Sequence, residues 1–209
     1  CIILFKWVNP PITITQLSSW IGGHGLQRDY VGRNQISPNA KLAVIAAEDQ
    51  TFPDHSGFDW QSIKKAMKYN EEHDNKRRGA STISQQVAKN VFLWQGGGFF
   101  RKGLEVYFTF MIELIWGKKR ILEVYLNVIE MGEGIFGIEM ASQKYFNKPS
   151  KNLTQAEAAL IAACLPNPKR YTVKPLSSYV AQRAQWVQRQ MNNLRSDPDV
   201  QKVTGIQSP

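Results

Sequence analysis

Three stretches of the chain combine residue types and spacings that could do chemistry. In the first, the apolar run Leu42-Ala43-Val44-Ile45-Ala46-Ala47 is followed at once by Glu48 and Asp49, and His55 comes a few residues later. Ser37 or Asn39 can cap a helix over that run, and a helix that is apolar all round is a buried one. The two carboxylates then stand at its C-terminal end. Desolvation and the negative pole of the helix dipole both disfavour the ionised form there and raise the pKa toward the range of a general base. A carboxylate simply paired with Lys64, Lys65 or an arginine is the commoner arrangement, and the spacing leaves both open.

In the second stretch, Lys76-Arg77-Arg78-Gly79-Ala80-Ser81-Thr82 leads into Ile83-Ser84-Gln85-Gln86-Val87-Ala88-Lys89-Asn90. A basic, glycine-containing loop that enters a helix through hydroxyl residues brings backbone donors and positive charge to one point, which suits an anion. Thr82, Gln86 and Lys89 share one helical face and can reach one ligand together. A well-capped surface helix behind a solvated basic loop fits the same residues. In the third, Trp94-Gln95-Gly96-Gly97-Gly98-Phe99-Phe100 reads as a mobile flap ahead of a helix whose first turn carries Arg101 and Lys102. Glu105 lies three residues after Lys102. It is close enough to be held by that cation, and equally able to be the second acid of a two-carboxylate site on a different helix from Glu48. The S-x-x-K form of Ser62-Ile63-Lys64-Lys65 suggests a penicillin-binding transpeptidase, but K-T-G is absent, so Ser62 and Lys65 are read as exposed helix residues.

The elements that must position these groups are mostly helical. Leu104, Phe108, Met111, Ile112 and Ile115 recur at helical spacing, as do Ile121, Leu122, Tyr125, Leu126 and Ile129, with a break near Gly117. Thr154 and Glu157 have the capping-box form ahead of Ala158 to Leu165, and Pro166 and Pro168 end that run. Val180, Ala184, Val187, Met191 and Leu194 line one face of a last amphipathic helix. Only Thr13-Ile14-Thr15 and Tyr171-Thr172-Val173 suggest short strands, so the predicted class is mainly α with a minor sheet.

With 209 residues, 43% hydrophobic and 11% aromatic, the chain can build one core and a small satellite lobe, which excludes disorder as its main state. The formal charge of +9 favours anionic partners, whether nucleic acid, an anionic membrane surface or a phosphorylated substrate. Two cysteines, Cys1 and Cys164, give no disulfide framework, and three histidines give no zinc spacing, which leaves an oxygen-ligated metal open. Residues 1–8, apolar and then Lys6-Trp7, read as the tail of a membrane anchor or as an N-terminal element packed on the core. Residues 9–195 form the domain and 196–209 a loose tail.

These segments closely resemble the biosynthetic peptidoglycan glycosyltransferases, glycosyltransferase family 51, in their monofunctional membrane-anchored form. The motif E-D-x-x-F-x-x-H-x-G is present as Glu48 to Gly57, G-A-S-T-I-S-Q-Q-x-x-K-N as Gly79 to Asn90, and R-K-x-x-E as Arg101 to Glu105. A fourth motif runs from Arg120 to Asn127 with Gly132, Gly134 and Gly137, and a fifth from Leu153 to Pro168. The resemblance covers about residues 38–170. It implies a lysozyme-like, mainly helical lobe with a smaller membrane-proximal jaw, and polymerisation of lipid II into glycan strands with inversion and release of undecaprenyl pyrophosphate.

It further implies that Glu48 is the general base and Glu105 a second catalytic acid. Asp49, Phe52, His55, Ser81, Thr82, Gln85, Gln86, Lys89, Asn90, Arg101 and Lys102 serve substrate binding, with the cations and the donors around Ser81 and Thr82 on the pyrophosphate. Glu105 either holds a divalent cation, Mg or Mn, or orients the cationic residues, and no organic cofactor is implied. His55 is expected to orient rather than ligate a metal. The implied partners are lipid II, the growing strand, membrane lipid and other cell-wall synthases, with no nucleic acid. The implied location is the outer, periplasmic face of the bacterial cytoplasmic (inner) membrane on a single-pass anchor. A glycan-cleaving muramidase would need no cationic cluster, and a membrane-surface scaffold would need neither Glu48 nor Glu105.

Overall fold

The computed structural model describes residues 1–73 and 79–207. A 3-10 turn at Leu4–Lys6 precedes α1 (Ile14–Ile21) and a short strand β1 (Gln27–Arg28). Then come α2 (Pro38–Glu48), α3 (Trp60–Glu72), α4 (Ile83–Phe92), α5 (Phe99–Trp116) and α6 (Lys118–Val128). Strands β2 (Glu130–Gly132) and β3 (Ile135–Phe136) lead to α7 (Ile138–Phe146), α8 (Gln155–Cys164), α9 (Ser178–Leu194) and α10 (Pro198–Thr204). The fold is mainly α, as expected. Among the described residues the strands form a single small sheet of order β1-β3-β2, with β1 parallel and β2 antiparallel to β3.

The apolar run before Glu48 becomes the centre of the molecule. Ser37 caps α2 by accepting from Asn39 N, Pro38 fills the first turn, and every residue from Ala40 to Ala46 is buried. The helix packs against α8 and α9. α8 is itself apolar around most of its surface and is opened by the expected box, with Thr154 N donating to Glu157 Oε2 at 2.9 Å and Glu157 N to Thr154 Oγ1 at 3.3 Å. α4 packs on α5 and α6, which Gly117 separates in a conformation (φ +73°) that favours glycine.

Four expectations change. Thr13 begins no strand: it caps α1, with Thr13 Oγ1 accepting from Gln16 N and Gln16 Oε1 from Thr13 N. Tyr171 to Val173 carry no strand either. Phe99 and Phe100 belong to the first turn of α5 rather than to the glycine loop before it, and they are 98% and 77% exposed. Residues 196–209 are not a loose tail as far as 207. Asp197 caps α10, Pro198 starts it, Gly205 ends it in the left-handed conformation, and Val200, Val203 and Ile206 are buried.

At the other end, residues 1–8 lie against the α5–α6 elbow. Trp116 Nε1 donates to Ile2 O at 2.8 Å, Arg120 Nε and Nη2 donate to Phe5 O, and the Phe5 ring packs at 6.1 Å from that of Phe92. Among the described residues no helix is long and apolar enough to cross a membrane.

Candidate functional site

Glu48 is the last residue of α2, partly buried, and opens into a cavity of about 780 Å³ whose walls include Ser81, Thr82, Gln86, Pro166 and Trp186. Its carboxylate is aimed by a short relay. Gln86 Nε2 donates to Glu48 Oε2 at 2.8 Å, and the fully buried Tyr125 hydroxyl donates to Gln86 Oε1 at 3.2 Å. The phenol thereby fixes which end of the Gln86 amide faces the acid. Burial pushes the Glu48 pKa above the ordinary value of 4.5. The Gln86 hydrogen bond and the Arg183 charge oppose that rise, and the neighbouring Asp49 adds to it.

Asp49 lines the same cavity, and its carboxylate is held by the fold. Its Oδ2 accepts from Ile83 N at 3.0 Å, and both its oxygens lie near His55 Nε2, at 3.0 and 3.1 Å. His55 Nδ1 accepts from Gly57 N at 3.1 Å, which places the ring proton on Nε2, facing Asp49. Gly57 also accepts from Thr82 Oγ1 at 2.7 Å. It has φ +92°, and a Cβ there would meet Thr109 Cγ2 at 2.8 Å, so the residue that ties the His55 loop to α4 and α5 must be glycine.

The anion site expected at the start of α4 is largely filled from within. Thr82 N donates to Gln85 Oε1, Gln85 N to Thr82 Oγ1, and Ile83 N to the Asp49 carboxylate. A side-chain anion thus takes the place a phosphate would occupy. Ser81 is exposed on the cavity wall, whereas Lys76, Arg77 and Arg78 lie outside the described residues. Phe52 is fully buried, with Lys118 Nζ 4.5 Å from its ring centroid, so it supports the turn after Glu48 from beneath. Asn90 is buried too: its Nδ2 donates to Gln86 O, and its Oδ1 accepts from Thr15 Oγ1 of α1 at 3.1 Å. Gln85 and Asn90 therefore shape the helix that carries Gln86 and Lys89.

Beyond Gln86 the cleft continues into a second cavity of about 570 Å³, which shares the Gln86 and Pro166 walls and adds Lys89, Lys169 and His24. Charge accumulates on this side. Glu105 is buried and accepts from Arg101 Nη1 at 2.8 Å and from Lys102 Nζ. Lys89 feels all three. Burial lowers its pKa from the ordinary lysine value, the Glu105 charge raises it, and Arg101 and Lys102 lower it again. Two cations thus hold this carboxylate, and Lys89 lies within reach of its charge. Both Glu105 oxygens are held by cations, and among the described residues no three His, Cys, Asp or Glu side chains gather to hold a metal. In this arrangement Glu105 holds Arg101 and Lys102, and a divalent cation would reach its oxygens only by displacing one of them.

Three residues at or behind the cleft wall escaped the reading by periodicity. Tyr125 counted only as an apolar helix position, and Arg183 and Trp186 lie on α9, whose pattern signals packing. Arg183 Nη2 donates to Ala47 O at 3.3 Å, just before Glu48.

A profile of the transglycosylase family matches residues 14–192. A biosynthetic peptidoglycan transglycosylase of Escherichia coli strain K12 / DH10B is 54% identical over 190 residues, 90% of this chain and 78% of that protein. The same-named proteins of Escherichia coli O157:H7 and Shigella boydii serotype 4 are 55% and 54% identical over equal shares.

Proposed function

From the premise that this chain belongs to the transglycosylase family and is a peptidoglycan glycosyltransferase of cell wall synthesis, we propose a single-displacement polymerisation of lipid II with Glu48 as its base. The observation that carries this reading is the division of the cleft at Gln86. A carboxylate with a raised pKa opens on one side, and a surplus of positive charge stands on the other. The acceptor lipid II places a sugar 4-hydroxyl in the first cavity, and Glu48 takes its proton. The hydroxyl oxygen bonds to the anomeric carbon of the growing strand as the bond to the pyrophosphate breaks. Undecaprenyl pyrophosphate leaves with the electron pair, beside Lys89, Arg101 and Lys102. Retention would require a second free carboxylate as nucleophile. Glu105 has both oxygens engaged, which supports inversion.

Membrane lipid fits the outer surface. Val106, Tyr107, Phe110 and Leu114 form an exposed apolar stripe along α5, and Phe99, Phe100, Ile3, Leu4 and Trp7 are exposed as well. Such a surface suits an enzyme working on a lipid-linked substrate at the outer face of the cytoplasmic membrane, with residues 1–8 where an anchor would join.

The test is incubation with fluorescent lipid II in detergent, with and without chelator, followed by gel separation. A muramidase-sensitive ladder is expected, and its response to chelator decides whether a divalent cation takes part. Retained lipid II binding without polymer, or cleavage of finished glycan, would overturn the reading. The relay gives a finer prediction. Tyr125→Phe frees the Gln86 amide to turn, so Glu48 loses the donor that holds its pKa down. The acid limb of the pH–rate profile is expected to move to higher pH, with a roughly three- to tenfold loss of rate at neutral pH, the scale of one hydrogen bond.

A further inference from the structure

Resting on the glycosyltransferase reading above, we propose that Trp186, held by Arg183, is the platform on which the acceptor's sugar ring lies while Glu48 takes its proton. α9 lies outside all five motif segments, yet Arg183, Trp186 and Gln190, spaced i, i+3 and i+7, turn one face toward the end of α2. Arg183 Nη2 donates to Ala47 O, and Gln50 Nε2 donates to Gln190 Oε1 at 3.5 Å, so this face is tied to the residues on both sides of Glu48. Between the two ties, Trp186 is partly exposed, and it lines the cavity of about 780 Å³ that Glu48 also lines.

The ring is held in place. The Arg183 guanidinium carbon sits 3.8 Å from the indole centroid, and Arg183 Nε is buried with no acceptor. The guanidinium is thus committed to the ring and to the Ala47 carbonyl rather than to a carboxylate. A pyranose carries its hydroxyls around its edge and C–H bonds on its faces. An aromatic surface that takes one face leaves an edge hydroxyl free to point at a base. In this cavity the base is Glu48. The orientation of the indole is set from the same turn of chain that sets the carboxylate, so sugar and base are positioned together.

The experiment measures polymerisation by the full chain against lipid II concentration. Trp186→Leu keeps apolar bulk and loses the flat ring, whereas Trp186→Phe keeps a ring. The expected result is an apparent KM about tenfold higher for Trp186→Leu with kcat within about threefold, and values within about threefold of the parent for Trp186→Phe. The defect of Trp186→Leu is expected to persist with lipid II lacking its peptide stem. Parent-like kinetics of Trp186→Leu, equal impairment of both variants, or loss of the defect with the stem-less substrate would overturn the proposal. Should Trp186→Leu not fold, Arg183→Lys, which keeps the charge but not the planar stack, gives the same readout. A raised KM supports the platform and an unchanged one overturns it. Absence of polymer from the parent chain would instead refute the reading on which the proposal rests.

Discussion

Glu48→Gln is expected to abolish glycan polymerisation, by roughly 10²- to 10⁴-fold as for loss of a general base, and at the same time to raise the melting temperature by a few degrees at neutral pH. Burial raises the Glu48 pKa in the folded chain above its ordinary 4.5. The stability this group contributes is therefore present below the unfolded value and lost as pH rises through the folded one. At neutral pH the unfolded carboxyl is ionised, and the folded chain must either bury that charge or take up a proton to neutralise it, so the group works against folding. A glutamine has nearly the same shape, carries no charge, and can still accept from Gln86 Nε2 through its own carbonyl oxygen. The gain in melting temperature should shrink as pH is lowered below 4.5, where the parent carboxyl is protonated too. Lipid II binding should be largely retained. Thermal scans of both chains across pH, beside the polymerisation assay, check the pair of effects. A lower melting temperature for the variant at neutral pH would show that Arg183 stabilises the ionised acid more than burial disfavours it.

The sequence made the site's inventory readable more than its wiring. The apolar run ahead of Glu48 and the Thr154 box are local signals, and both appear where expected, because burial and capping act within a few residues. The fate of the α4 donors is not local. Ile83 N could have faced a phosphate, and only the fold shows Asp49, 34 residues away, in its place. The strands were invisible for a similar reason. β1 and β3 are two residues long and pair Gln27 with Ile135, so no alternating pattern can develop. Two misreadings had local remedies. Thr13-Ile14-Thr15-Gln16 satisfies a capping box, which outweighs the β preference of its branched residues. Asp197-Pro198 with Gly205 marks both ends of α10. Trp186 had no such signal, since a tryptophan on an amphipathic helix reads as packing until the opposite wall is known.

Lys89→Arg is expected to remove or displace the alkaline limb of the pH–rate profile while leaving the acid limb in place, and Lys89→Met to lower the rate by roughly 10²- to 10³-fold at every pH. Burial, chiefly, lowers the Lys89 pKa, with Arg101 and Lys102 acting in the same direction and Glu105 against them. As pH rises through that lowered value the ammonium loses its charge, and with it the hold on a departing pyrophosphate. A guanidinium keeps its charge throughout the accessible range, so the limb should leave with the lysine. Rates measured across the pH range for the parent and both variants decide the matter. An unchanged alkaline limb in Lys89→Arg would assign it to another group and take Lys89 out of the leaving-group role. The two limbs share one physical origin. In a pair built for stability each partner favours the other's charge, so a carboxylate's pKa falls and an ammonium's rises. Glu48 and Lys89 are shifted the opposite way, one up and one down, on the two sides of Gln86. Each is pushed toward its neutral form by its surroundings, which favours proton uptake by the acid and leaves the cation to gain from an arriving negative charge, and a bound substrate supplies what the empty cleft withholds from both.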